Sequence, residues 1–279
     1  MFTMTQPMPD HQPFFVDLRW RDQRIQLEAQ WVGAPASPAP TVVFLHEGLG
    51  SVSHWRNFPD EFCRAHGLRG LVFSRFGYGR SSARTAALTP DYLHQQAHEV
   101  LPALLAQLGI VKPWLFGHSD GASIALLYAA RHSAELSGLI VAAPHLYVED
   151  CALQAIAAAR DAYRDGSLRA RLAPYHADVD AAFRGWNDIW LDPAFRDWDI
   201  RADVAAITAP LMAIQGEDDP YGTLDQVYTI ARLVPDTRLL VLPGCGHSPH
   251  RERSAEVIAA GGQFIFGAGT TENLNTELS

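Results

Sequence analysis

Cysteine is scarce in this chain. There are three in 279 residues (Cys63, Cys151 and Cys245), far apart and in no C-x-x-C spacing. An odd, scattered set excludes a disulfide framework and a structural zinc site, and it reads as free thiols in a reducing, cytoplasmic compartment. No grouping of histidines and acids has metal-ligand spacing, so neither a metal nor a cofactor is expected. Long apolar runs are missing too: nothing approaches the roughly twenty apolar residues of a membrane-crossing helix. The start, Met1-Phe2-Thr3-Met4-Thr5-Gln6-Pro7, has neither the basic nor the apolar segment of a secretory leader. Positive charge is in deficit, with 22 Lys and Arg against 31 Asp and Glu for a net charge of −9. That argues against nucleic acid or an anionic membrane as the main partner. Internal repeats are absent. The expected partner is a small-molecule substrate, with a homodimer left open.

What is present is an alternation. At 48% hydrophobic, 279 residues can bury one large core with a modest inserted unit. Phe14, Val16, Leu18 and Trp20 alternate with their neighbours, as do Ile25, Leu27, Ala29 and Trp31, predicting an antiparallel hairpin with Arg21-Asp22-Gln23-Arg24 between. Pro35, Pro38 and Pro40 stiffen the link to the next strand. Thr41–Leu45 is a continuous apolar run, as a strand buried on both faces should read, and further strands are expected at Leu68–Phe73, Trp114–Phe116, Leu139–Ala143, Leu211–Ile214 and Leu239–Leu242. Helical patterns lie between them: from Thr89-Pro90 to Gly109, over Ser123–Arg131, through Leu224, Val227, Ile230 and Ala231, and over Ser254–Phe264. Such alternation implies a doubly wound, mostly parallel α/β sheet. Residues 1–12 read as disordered, 13–144 and 207–266 as the core, 145–206 as a helical cap insertion, and 267–279 as a flexible tail.

The densest local signal is Leu115-Phe116-Gly117-His118-Ser119-Asp120-Gly121-Ala122-Ser123. An apolar strand runs through G-x-S-x-G into a small-residue helix, the context of a nucleophile elbow. Glycine is needed on both sides because a Cβ there would meet the neighbouring strand or helix, while the serine is held strained with its Oγ exposed. A serine hydroxyl is a poor nucleophile until a base accepts its proton, and histidine titrates near neutral pH. The turn aims the Asp120 N–H at the place where an acyl oxygen would become negative.

From Phe14 to Phe266 the chain resembles the α/β-hydrolase family, in its serine-nucleophile branch. The resemblance implies that fold and, in chain order, an oxyanion loop, the elbow, an acid and a histidine. Matched to it, Ser119 is the nucleophile, and His247 in Gly244-Cys245-Gly246-His247-Ser248 is the base. Asp219, three residues after Gly216 in Gly216-Glu217-Asp218-Asp219, is the acid; Asp218 is its chemical equivalent, and Glu149 or Asp150 a more distant alternative. Gly48, in His46-Glu47-Gly48, and Asp120 become the backbone donors of an oxyanion hole. Two places depart from the family pattern. Glu47 stands where glycine usually follows the histidine, and Ser74 and Phe76 stand where an aspartate and an arginine usually precede the second glycine loop. Glu47 and Arg75 could pair across the two loops; the alternative is a Glu47 side chain in solvent. His46 is expected to hold its loop, His118 to pack or hydrogen-bond beneath the elbow, and His250 to be structural or on the surface.

A serine nucleophile excludes the aspartate-nucleophile dehalogenase and epoxide-hydrolase branches and leaves acyl chemistry. The expected activity is hydrolysis of a small or medium, apolar carboxylic ester through an acyl-enzyme. Phe183, Trp186 and Trp190 share a helix face at i, i+3, i+7 and, with Tyr147, are the expected pocket residues. C–C bond hydrolysis, enol-lactone opening, acyl transfer and a non-catalytic small-molecule receptor are the alternatives on the same residues.

Overall fold

The computed structural model describes residues 11–34 and 40–267. The expected tail beyond Gly267, most of the N-terminal segment, and Pro35 and Pro38 lie outside them. His11, expected to be disordered, already donates its N–H to Trp31 O at 3.1 Å. Eight strands form one sheet in the order β1-β2-β4-β3-β5-β6-β7-β8. They are β1 Pro13–Trp20, β2 Gln23–Gly33, β3 Val42–Leu45, β4 Arg69–Phe73, β5 Trp114–His118, β6 Gly138–Ala142, β7 Leu211–Gly216 and β8 Arg238–Leu242. The hairpin pairs Trp20 with Gln23, so its turn is Arg21-Asp22 alone, tighter than the four-residue link expected. β2 runs antiparallel to β4, and every later pair is parallel.

Side chains alternate across a strand, and the inner strands therefore feed two cores. On β3, Val43 and Leu45 join one cluster while Val42 and Phe44 join the other; on β5, Leu115 and Phe116 part in the same way. The first core takes up α2 (Tyr92–Gln95), α3 (Leu101–Gln107) and α4 (Asp120–His132); the second takes up α1 (Phe58–Ala65) and α11 (Ser254–Gly267). A π-helical turn, Gln96–Val100, joins α2 to α3. It comes just before Pro102, which has no N–H to offer the preceding turn. α4 is buried from Asp120 through Ala129, so its small residues let it lie close to the sheet.

Between β6 and β7 the chain leaves the sheet for α5 (Asp150–Arg164), α6 (Ser167–Leu172), α7 (Val179–Trp190) and α8 (Arg201–Val204). One antiparallel bridge, Tyr147 with Asp199, ties the ends of this insertion together. α9 (Asp225–Leu233) lies between β7 and β8, and α10 (Pro249–Glu252) between β8 and α11. Because β3, β5, β7 and β8 are parallel, the loops after all four gather along one edge of the sheet.

Candidate active site

Ser119 follows β5 and opens α4 with φ 53° and ψ −119°. Its N–H bonds to Ala142 O at 2.9 Å and its carbonyl accepts the Ala122 N–H at 2.8 Å, so the strained turn is held from both sides. A Cβ on Gly117 would come within 2.4 Å of Gly121 O, and one on Gly121 within 2.0 Å of Leu45 O. His247, on the loop after β8, places Nε2 3.0 Å from Ser119 Oγ and Nδ1 2.8 and 2.9 Å from the two Asp219 oxygens. Nδ1–H donates to the carboxylate, which leaves Nε2 bare to accept the serine proton.

Asp219 also accepts the Tyr221 N–H at 2.8 Å and Gln215 Nε2 at 2.7 Å. Burial works against its charge, but His247 and the Tyr221 N–H outweigh that and hold the carboxyl below its usual range. The rival acids are occupied otherwise. Asp218 is exposed, Glu149 accepts from Thr223 and Gln226, and Asp150 pairs with Arg196.

The loop after β3 is fixed through one carbonyl. Glu47 O accepts from His46 Nδ1 at 2.7 Å, Arg75 Nη2 at 2.8 Å and Gly50 N–H at 3.1 Å. His46 Nε2 accepts the Arg75 N–H at 2.9 Å, which assigns the ring proton to Nδ1. Burial, reinforced by the Arg75 charge, pushes this imidazole well below its ordinary range and keeps it neutral. No described peptide bond is cis. In a trans peptide, holding the Glu47 carbonyl on one side turns the Gly48 N–H to the other. Gly48 and Asp120 line one cavity with Ser119 and His247.

The expected pairing of the Glu47 carboxylate with Arg75 does not occur, and Glu47 does not point to solvent either. Arg75 is 1% exposed, and its guanidinium lies 3.4 Å from Asp120 Oδ2. The Asp120 carboxylate also accepts from Tyr92 Oη at 2.8 Å and Trp190 Nε1 at 3.2 Å. The start of α4 buries that carboxylate, and the nearest use of a buried cation is to neutralise it. Glu47 turns instead to His54 Nδ1 at 2.7 Å and His118 Nδ1 at 3.4 Å. Burial alone would raise the Glu47 carboxyl, but these two imidazoles hold it well below the carboxylate range. His118 donates Nε2–H to His247 O at 2.7 Å, beneath the elbow. His250 is buried against Trp55 and His118, at ring-centroid distances of 4.8 and 4.5 Å.

The cavity measures about 580 Å³ and has apolar walls from Leu49, Ile156, Leu172, Trp186 and Trp190. Trp186 lies directly on the loop after β3: a Cβ on Gly48 would fall 2.2 Å from its ring. Phe183 and Tyr147, expected in the pocket, are not in its wall. Phe183 stacks on Tyr163 of α5 at 3.7 Å, and the Tyr147 hydroxyl donates to Asp225 at 2.5 Å. The aromatic stripe of α7 is thus one face serving two ends, the first packing on α5 and the last reaching the site.

Sequence reasoning missed Tyr221, whose ring lies 4.6 Å from that of His247, although its place two residues after Asp219 was a usable signal. It also missed His145, 6.0 Å from His247. Burial, with the His247 charge adding to it, brings His145 down to about 4. Among the described residues no group of three or more His, Cys, Asp or Glu could hold a metal ion, and no helix is long and apolar enough to cross a membrane.

A family model described as the alpha/beta hydrolase family matches residues 42–260. Among curated proteins, a 2-succinyl-6-hydroxy-2,4-cyclohexadiene-1-carboxylate synthase from Enterobacter sp. (strain 638) is 28% identical over 251 residues, 81% of this chain and 92% of that protein. Among solved structures, the enol-lactonase from Burkholderia xenovorans LB400 aligns with a TM-score of 0.70 at 19% identity, over 87% of this chain and 97% of that one. A thermophilic esterase from Thermogutta terrifontis aligns with a TM-score of 0.71 at 20% identity, over 93% and 100% of the two chains. At such identities the structural likenesses speak to the fold.

Proposed function

The chain belongs to the alpha/beta hydrolase family, and on that premise we propose that it is a serine hydrolase cleaving a small or medium carboxylic ester through an acyl-enzyme. The observation that carries this reading is the unbroken chain from Ser119 Oγ through His247 to Asp219, with links of 3.0 and 2.8 Å. His247 Nε2 takes the serine proton as Oγ attacks the acyl carbon. Asp219 holds the ring tautomer and stabilises the imidazolium. The Gly48 and Asp120 N–H groups receive the oxyanion, and each such donor is typically worth roughly 10²–10³ in rate. Imidazolium then protonates the departing alcohol. A water that gives its proton to Nε2 attacks the acyl-enzyme, releasing the carboxylic acid and restoring Ser119.

A second reading, enol-lactone opening or C–C chemistry with the same residues, is supported by the relatives named as an enol-lactonase and as a cyclohexadiene-carboxylate synthase. The test is a chain-length series of p-nitrophenyl esters with wild type and Ser119→Ala, plus a phosphonate label located by mass spectrometry. Turnover by wild type, lost by on the order of 10⁶ in the variant, with the label on Ser119, is the expected outcome. Labelling without ester turnover favours the second reading, to be followed with lactones and ring-cleavage diketones. Neither labelling nor turnover sinks both.

A further inference from the structure

Two arginines of the cavity wall have no part in the acyl chemistry. Arg56 ends the short 3₁₀ turn Ser53–Trp55 with φ 55° and ψ −135°. Ser119, at φ 53° and ψ −119°, occupies the same sparsely populated region. A side chain is strained there and glycine is not, and such outliers cluster at functional sites. Arg56 lines the same cavity as Ser119, and among the described residues it has no carboxylate partner. Asp60, one turn further on, is taken by Arg64 at 2.8 Å and by the Gly33 N–H at 2.9 Å.

Arg171, on α6 of the insertion, lines the cavity too and likewise has no ion-pair partner among the described residues. Its charge is felt at Tyr221, where it opposes the upward push of burial on the phenol beside His247. The other charges of the wall are already matched. Asp120 faces Arg75, Glu47 faces His54, and Arg251 donates to the His54 carbonyl near Glu47. In a chain of net charge −9, the cavity that holds the serine is therefore lined by two exposed arginines that have no ion-pair partner among the described residues. Guanidinium groups match carboxylates in shape and charge.

We propose that the substrate carries a carboxylate, held by Arg56 and Arg171, at a distance from the ester bond presented to Ser119. This rests on the serine-hydrolase reading and narrows it: an apolar segment lies along Trp186 and Leu172, and an anionic end is added to the apolar acyl substrate expected from sequence.

The test compares kcat/KM for mono-p-nitrophenyl adipate with that for p-nitrophenyl hexanoate, which differ by a carboxylate. Wild type is expected to favour the adipate by about tenfold or more, the scale of a charge-assisted hydrogen bond. Arg56→Gln and Arg171→Gln each lower that ratio, the double variant removes the preference, and Arg56→Lys restores part of it. Arg56→Gly separates this role from a structural one, because it relieves the backbone and raises Tm while the ratio still falls. A wild type indifferent to the carboxylate, or variants that leave the ratio unchanged, overturn the assignment. Should neither ester turn over, the ester-hydrolase reading has failed, and calorimetric titration of monomethyl adipate against methyl hexanoate reads the arginines directly. Equal binding of the two then overturns this inference, and tighter binding of the anion upholds it alone.

Discussion

Arg75 joins two peptides that the proposed mechanism needs aligned. Through Glu47 O, at 2.8 Å, it directs the Gly48 N–H; through the Asp120 carboxylate, at 3.4 Å, it steadies the residue that carries the second donor. Oxyanion stabilisation is felt in the transition state, so its loss belongs in kcat and not in KM. Arg75→Met is expected to lower kcat by about 10²-fold, with KM nearly unchanged. Stripping one partner from a buried ion pair should also lower stability by about 3–5 kcal/mol, measured by urea unfolding. Normalising rate to phosphonate-labelled sites separates the two effects, since a purely structural arginine would leave kcat per labelled site intact. The sequence marks Glu47 and Arg75 as unusual and suggests that they meet. They do meet, but through the main chain, because side-chain direction at the two strand ends is not written in residue type.

The α7 helix shows how one periodic stripe divides its work. Its buried face predicts contact with the body of the protein, and helical spacing made Phe183, Trp186 and Trp190 equivalent candidates for the pocket. In the folded chain Trp190 donates Nε1–H toward Asp120 and Tyr92 at 3.2 and 3.0 Å, Trp186 covers Gly48, and Phe183 stacks on Tyr163. Phe183→Leu is therefore expected to destabilise by about 1–2 kcal/mol, through a lost stack and poorer packing, with KM for esters unchanged. Trp186→Ala should instead raise KM severalfold, because it opens the cavity wall over the oxyanion loop. Equal KM effects from the two variants would show that the helix presents its aromatic residues to substrate as a single face. Apolar periodicity does not carry this distinction, since both ends of the stripe are buried.

Across the whole molecule, buried histidines set the response to acid. His46, His145 and His250 are all held below their ordinary range, chiefly by burial, and His145 reaches about 4 from 6.5. Below pH 6.5 the unfolded chain binds protons that the folded chain refuses. Stability is thus fully present above that pH and is lost as pH falls below it, for His145 through the window from 6.5 to about 4. Each such histidine contributes a slope of about 1.4 kcal/mol per pH unit inside its window. Urea unfolding free energy is expected to fall between pH 7 and 5, and His145→Gln should flatten that fall by one histidine's share. A stability independent of pH over this range would mean that these imidazoles accept protons without unfolding. Glu47 and Asp219, held below the carboxylate range, add their own loss only at lower pH.

Local pattern was enough for the hairpin, the inner parallel strands, and the strained turn at Ser119 with its two glycines. Each is a property of a few neighbouring residues, expressed as a period of two or 3.6 or as a turn that only certain residues permit. The chain order of Ser119, Asp219 and His247 came from the family resemblance instead, and the parallel topology brings the ends of β5, β7 and β8 to one edge. Tertiary packing decided the rest. It put Asp219, and not its neighbour Asp218, against His247, gave Glu47 to His54 and Arg75 to Asp120, and sent only part of the α7 stripe to the cavity. It also brought Arg56 and Arg171 to the rim of one cavity, without ion-pair partners among the described residues. These outcomes depend on which way a side chain leaves its backbone and on what a remote segment places opposite it, and no local periodicity carries that information.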